Sequence, residues 1–115
     1  MIERDKLRRA AGMADSVVPS EIAEGFGMMT GIISGAKNSE DIEFGFLDNA
    51  LFLARKHSSH KAPEIRNAAA EMLAAIARLG PRWREAAAET IDEIAMQPSE
   101  NARSVASRAR EEAAV

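Results

Sequence analysis

The sequence predicts an all-α protein that folds as a single compact domain of five or six short helices. Apolar residues recur at helical spacing along most of its 115 residues. No segment shows the alternation of apolar and polar residues, rich in β-branched types, that indicates a strand. Breaks that contain proline, glycine or asparagine separate the periodic segments at intervals that suit short helices.

These breaks set the bounds of the predicted helices. Ser20 is placed to cap a helix after Pro19, while Pro63 and Pro81 suit first-turn positions. We predict helices over residues 2–13, 20–37, 40–57, 63–79, 81–96 and 99–113. Within the single domain 1–115, segments 1–19 and 99–115 should be weakly packed terminal helices, because few large apolar side chains line them.

Two packing arrangements are open. Ile22, Met29 and Ile33 recur 43 residues later as Ile65, Met72 and Ile76. A period of this length is typical of HEAT-like stacked helix pairs, although such stacks need three or more repeats. An irregular bundle is the other arrangement and the one we expect.

The composition and the distribution of charge exclude several classes of protein and of chemistry. The chain has no cysteine, which excludes disulfides and thiolate chemistry. Its first residues are charged and lack the apolar region of a signal peptide. The longest uncharged run, 25–36, is shorter than the roughly 20 residues that span a bilayer. We therefore expect a cytoplasmic protein with no membrane contact, no cofactor and no bound metal.

A row of glycines at every fourth position is the most unusual motif. Gly27, Gly31 and Gly35 lie opposite the apolar stripe of the second helix, with Thr30 and Ser34 beside them. Each glycine inside a helix costs about 1 kcal/mol relative to alanine, so close packing over this smooth face is needed as an offset. We expect the face to pack on another helix of the same chain. The alternatives are contact with another chain and a helix break at Gly31 or Gly35.

Phe52 is a second candidate for partner binding. In the third helix it projects away from the main apolar stripe, on the same side as Asp48, Arg55 and Lys56. It either anchors a partner or is covered by the first or last helix.

Basic residues raise nucleic-acid binding as an alternative. Segment 55–84 carries seven basic and two acidic residues, but antiparallel helices would place its charges at opposite ends and pair them within the domain. The first helix offers a better patch, formed by Arg4, Lys6, Arg8 and Arg9. Aromatic residues for stacking on bases are scarce.

Catalytic and metal-binding patterns are weak. His57 and His60 are spaced to share a metal ion with Glu64, but Arg55, Lys56 and Lys61 would repel a cation, so we expect a solvated helix end. No serine, histidine and acid form a defensible catalytic set. The sequence thus favours a non-enzymatic protein-binding module that acts as an adaptor, inhibitor or regulatory subunit, by self-association or with another protein. The alternative is a nucleic-acid-associated regulator that uses the basic first helix.

Overall fold

The fold consists of helices joined by short connections. The computed structural model describes residues 4–42 and 45–113, except for the side chains of Arg4 and Ser39. Across those ranges it contains six α-helices, one 3-10 turn and no strand, which confirms the predicted all-α single domain. The elements are α1 (Arg4–Ala14), α2 (Pro19–Gly35), the 3-10 turn (Ser39–Asp41), α3 (Phe46–His57), α4 (Pro63–Ala77), α5 (Pro81–Ala95) and α6 (Glu100–Ala113).

The central helix is α4, which contacts α2, α3, α5 and α6. The residues of α4 are buried on almost every side of the helix, and five of these buried residues are alanines. A helix that is apolar all round belongs in the middle of a domain, and small side chains let its neighbours approach closely. This arrangement is an irregular bundle, and it gives the HEAT-like alternative no support. The glycine-bearing helix α2 is therefore not the centre of the domain.

The predicted start of the third helix is wrong. Residues 39–41 form only a 3-10 turn, held by a hydrogen bond from the Glu40 N–H to Asn38 Oδ1 at 2.9 Å. Gly45 then adopts a φ of 86°, a left-handed conformation that a continuous helix cannot contain. The helix begins at Phe46, while residues 43 and 44 lie outside the described part.

The two terminal helices both contribute to the core. Leu7, Ala10 and Ala14 of α1 are buried where α1 packs on α2 and α3. The buried residues of α6, which packs on α4 and α5, are Ala102, Val105, Ala106 and Ala109. Most of these buried side chains are small and contribute little apolar area. Weak packing of both terminal helices therefore stays a prediction.

A close approach of two backbones joins α1 to α2. Gly25 is buried, and a Cβ placed on it would lie 2.3 Å from the backbone nitrogen of Ala14 and 2.8 Å from the carbonyl oxygen of Ala10. No side chain fits there, so α1 rests directly on the backbone of α2. None of the described helices has the length and apolar character needed to cross a bilayer.

Candidate protein-binding surface

The glycine row forms an open surface on α2. The opposite side of this helix is buried in the core through Ile22, Phe26, Met29 and Ile33. We call Gly27, Gly31 and Gly35, with the flanking Thr30 and Ser34, the glycine face. All three glycines are exposed, and a Cβ placed on any of them would meet no atom of residues 4–42 and 45–113 within 4 Å. The expectation that this face packs against another helix of the same chain is therefore wrong.

The side chains beside the glycines leave this face smooth. Thr30 Oγ1 donates a hydrogen bond to the carbonyl oxygen of Phe26 at 2.9 Å, which uses its hydroxyl within the helix. Ser34 is exposed, and no charged residue occurs between Phe26 and Ala36. The surface thus offers exposed backbone and small side chains over about two helical turns, since Gly27 and Gly35 are separated by about 12 Å of helix rise.

The helix does not break at Gly31, but it ends at Gly35, the other position proposed for a break and two residues before its predicted end. It continues through Gly31 and ends at Gly35, after which Ala36 is extended and donates its N–H to the carbonyl oxygen of Ile33. The propensity cost of Gly27 and Gly31 is therefore present in the folded chain, because both are interior helical positions. Nothing in the described fold requires glycine at either position.

Phe52 is a second exposed feature, on α3. Its side chain is 52% exposed, so neither terminal helix covers it fully. The structure does not bring Phe52 to the glycine face. α2 approaches the end of α3 through Phe26, whose ring lies 5.8 Å from that of His57, and Phe26 is on the buried side of α2.

Two exposed apolar residues, Val17 and Met96, were missed from the sequence. Val17 lies in the connection between α1 and α2, and Met96 follows the last residue of α5, so neither carries a periodic signal. Ion pairs of 2.6 Å join α3 to the residues before α2, from Lys56 to Asp15, and to α5, from Arg55 to Glu93.

The basic residues of α1 are accessible. Lys6, Arg8 and Arg9 are exposed, while Leu7 between them is buried. The side chain of Arg4 lies outside the described part. None of the three described basic side chains forms an ion pair with a described acidic residue, whereas Arg55 and Lys56 of the 55–84 block do. Arg82 and Arg84 of that block are also exposed without an ion pair to a described acidic residue, so α1 is one of two accessible basic regions.

His57 differs from its prediction. It is not part of a solvated helix end but is 7% exposed and packed edge-on against Phe26, and its Nε2 has no hydrogen-bond partner among the described residues. Burial is the main cause that lowers the pKa of His57, and the nearby Lys56 ammonium lowers it further. His60 uses Nδ1 to accept a hydrogen bond from the Ala62 N–H at 3.0 Å. Across residues 4–42 and 45–113, no three potential metal ligands of the His, Asp and Glu types come together.

Comparison with other proteins adds no family to this picture. The chain matches no protein-family model, no curated protein and no solved structure. The described chain has two candidate protein-binding features, the glycine face of α2 and the exposed Phe52. The basic side of α1 is a candidate nucleic-acid-binding surface.

Proposed function

We propose that this protein is a non-enzymatic, cytoplasmic helical module that binds another protein chain through the glycine face of α2. The supporting observation is that Gly27 and Gly31 are interior helical glycines, and a Cβ on either would meet no atom of the described residues within 4 Å. Together they lower helix stability by about 2 kcal/mol relative to alanine. Domains of this kind are stable by only about 5–15 kcal/mol, so this is a substantial loss without an internal offset.

A partner helix supplies the offset in this proposal. Because no Cβ protrudes at Gly27, Gly31 or Gly35, a partner backbone approaches α2 more closely than it would approach an alanine surface. Many dispersion contacts over such a flat area add up to useful binding energy. The module acts by occupying its partner's surface, as an adaptor, inhibitor or regulatory subunit. Phe52 gives a second, separate anchor.

The test compares two leucine substitutions on exposed helical glycines. Gly31→Leu places a large side chain on the glycine face, and Gly12→Leu places the same side chain on α1, where a Cβ also meets no described atom within 4 Å. Tagged wild-type protein and both variants are used to capture partners from the native lysate, with mass spectrometry, and light scattering measures self-association. We expect wild type and Gly12→Leu to capture the same protein or to self-associate, and Gly31→Leu to lose this interaction while circular dichroism shows it folded.

Two outcomes contradict the proposal. One is a folded Gly31→Leu that binds as wild type does. The other is a wild-type protein that stays monomeric and captures no protein beyond the background of an unrelated tagged protein.

A second candidate function is nucleic-acid binding through α1. It is favoured by the exposure of Lys6, Arg8 and Arg9 without ion pairs to described acidic residues. If the patch contacts phosphates, binding weakens steeply with salt, and Lys6→Gln with Arg9→Gln reduces the log–log salt slope by about 1.8, since each phosphate contact contributes about 0.9. Retention on immobilised DNA and RNA at several salt concentrations measures this. Absence of retention at low salt excludes the candidate and leaves the protein-binding proposal untouched.

A further inference from the structure

A groove where α4, α5 and α6 meet is separate from both surfaces described above. It has a volume of about 220 Å³ and opens to solvent. Two of its lining residues, Ala77 and Ile91, are apolar and only 2% and 3% exposed, and we call them the floor of the groove. Ala88 and Ala113 form apolar walls, and their small size leaves the space unfilled.

Charged side chains also line this groove. Arg84, Ala88 and Asp92 follow one another at four-residue spacing, so they form a single row along α5, about 12 Å long. Arg110 reaches across from α6 and donates a hydrogen bond to the Asp92 carboxylate. Arg84 has no ion-pair partner among the residues that the structure describes. The lining therefore has two positive charges and one negative charge, with Arg84 left to take an anion.

The charge and shape of the groove select one class of ligand. A net lining charge of one positive unit is matched by a monoanion, whereas a phosphate ester carries about −1.5 to −2 at pH 7 and would leave an excess of negative charge. Guanidinium binds the planar carboxylate through two parallel hydrogen bonds. The apolar floor beside Arg84 favours an aliphatic body over a polar one.

We propose that this groove binds a small aliphatic monocarboxylate, with its carboxylate on Arg84 and its hydrocarbon chain on Ile91 and the surrounding alanines. The groove has a volume of about 220 Å³, which accommodates a small molecule of this kind, and hexanoate serves as the probe. This site takes a small molecule, so it is independent of the protein-binding proposal for the glycine face.

Titration of isotope-labelled protein with hexanoate, followed by amide chemical shifts, tests the assignment. We expect saturable shifts centred on Arg84, Ala88, Ile91 and Ala113, with a dissociation constant on the order of 1 mM for so small a ligand. Hexanol should bind at least about fivefold more weakly, because it lacks the charge that Arg84 recognises, and hexyl phosphate should be weaker than hexanoate.

Three variants separate this site from general association. Arg84→Gln should weaken hexanoate binding about fivefold or more, and Ala88→Leu should abolish it by filling the groove. Arg103→Gln removes an exposed arginine of α6 that does not line the groove, so it should bind hexanoate as wild type does. Ala88 is itself exposed, so leucine at this position leaves the core intact.

The proposal is overturned if hexanoate gives no saturable shifts up to about 20 mM, well above the affinity expected for a ligand of this size. It is equally overturned if hexanol or hexyl phosphate binds as well as hexanoate, or if folded Arg84→Gln or Ala88→Leu binds like wild type.

Discussion

Gly25 and Gly31 lie fewer than two turns apart on α2, but their surroundings are opposite. A Cβ on Gly25 would fall within 3 Å of three backbone atoms of α1, whereas a Cβ on Gly31 would meet no described atom within 4 Å. Both residues lower helix propensity by about the same amount. At Gly25 the close packing of α1 offsets that loss, and at Gly31 no contact in the described chain does. The same residue type therefore serves folding on one side of α2 and, in our proposal, binding on the other.

The largest effect is expected at Gly25. Gly25→Ala forces its new methyl group against the backbone of Ala10, Met13 and Ala14, which cannot rotate away. We expect a net loss of about 2 kcal/mol or more in the free energy of unfolding, because overpacking outweighs the gain in helix propensity. Urea denaturation measures it. Gly12→Ala is the matched control on α1, and unchanged stability of Gly25→Ala would refute the close-packing argument.

The glycine face should respond in the opposite direction. The double variant Gly27→Ala and Gly31→Ala should gain about 2 kcal/mol in the free energy of unfolding, since both positions are helical and sterically open. The same denaturation experiment gives the value. A loss of stability would mean that these positions need glycine inside the folded chain, and the comparison with Gly25 would then fail.

A smaller change in the free energy of unfolding is expected when the pH is lowered. It arises at His57, on the side of α2 that bears Gly25. His57 packs on Phe26 near the end of α1, where Lys56, His60 and Asp15 are the charged and titratable groups that influence it. Because burial and Lys56 lower its pKa below the ordinary value of 6.5, the unfolded chain binds this proton more readily. Its contribution to stability is therefore complete above about pH 6.5 and is lost as the pH falls towards the lower folded-state pKa.

Denaturation at several pH values tests this dependence. Between pH 7 and pH 5, wild-type stability should decline, and His57→Gln should reduce the slope because glutamine does not titrate. His60→Gln is the matched control at the partly exposed neighbouring histidine, and it should keep most of the slope. Equal slopes for wild type and a folded His57→Gln would contradict the assignment.

The faces of α2 were predictable from the sequence, but the role of each glycine was not. Helical projection correctly separates Ile33 from Gly31, because a period of 3.6 residues puts them on different sides. It does not report which sides meet another helix. Gly25 therefore attracts no notice as a single glycine beside the apolar stripe, although it is the one that another backbone contacts.

The other differences between the predictions and the structure depend on tertiary contacts and backbone conformation, which the sequence pattern does not show. The central position of α4 follows from buried alanines, which look the same in a sequence whether a helix is central or peripheral. The late start of α3 depends on the φ of Gly45, since a glycine permits that conformation without requiring it. The ion pairs that join α3 to Asp15 and to Glu93 link residues about 40 positions apart, which no local pattern can predict.

Thiol labelling provides the most direct test of the glycine face. The chain has no cysteine, so Ser34→Cys introduces a single thiol on that face, and Gly12→Cys introduces one on the exposed side of α1. We predict that Ser34→Cys reacts with a maleimide at the rate of an exposed thiol in dilute purified protein. Its reaction should slow in native lysate or at high protein concentration, while Gly12→Cys keeps its rate. Slow labelling of dilute Ser34→Cys would show that the face is covered within one chain, and an unchanged fast rate under all conditions would show that no partner binds it.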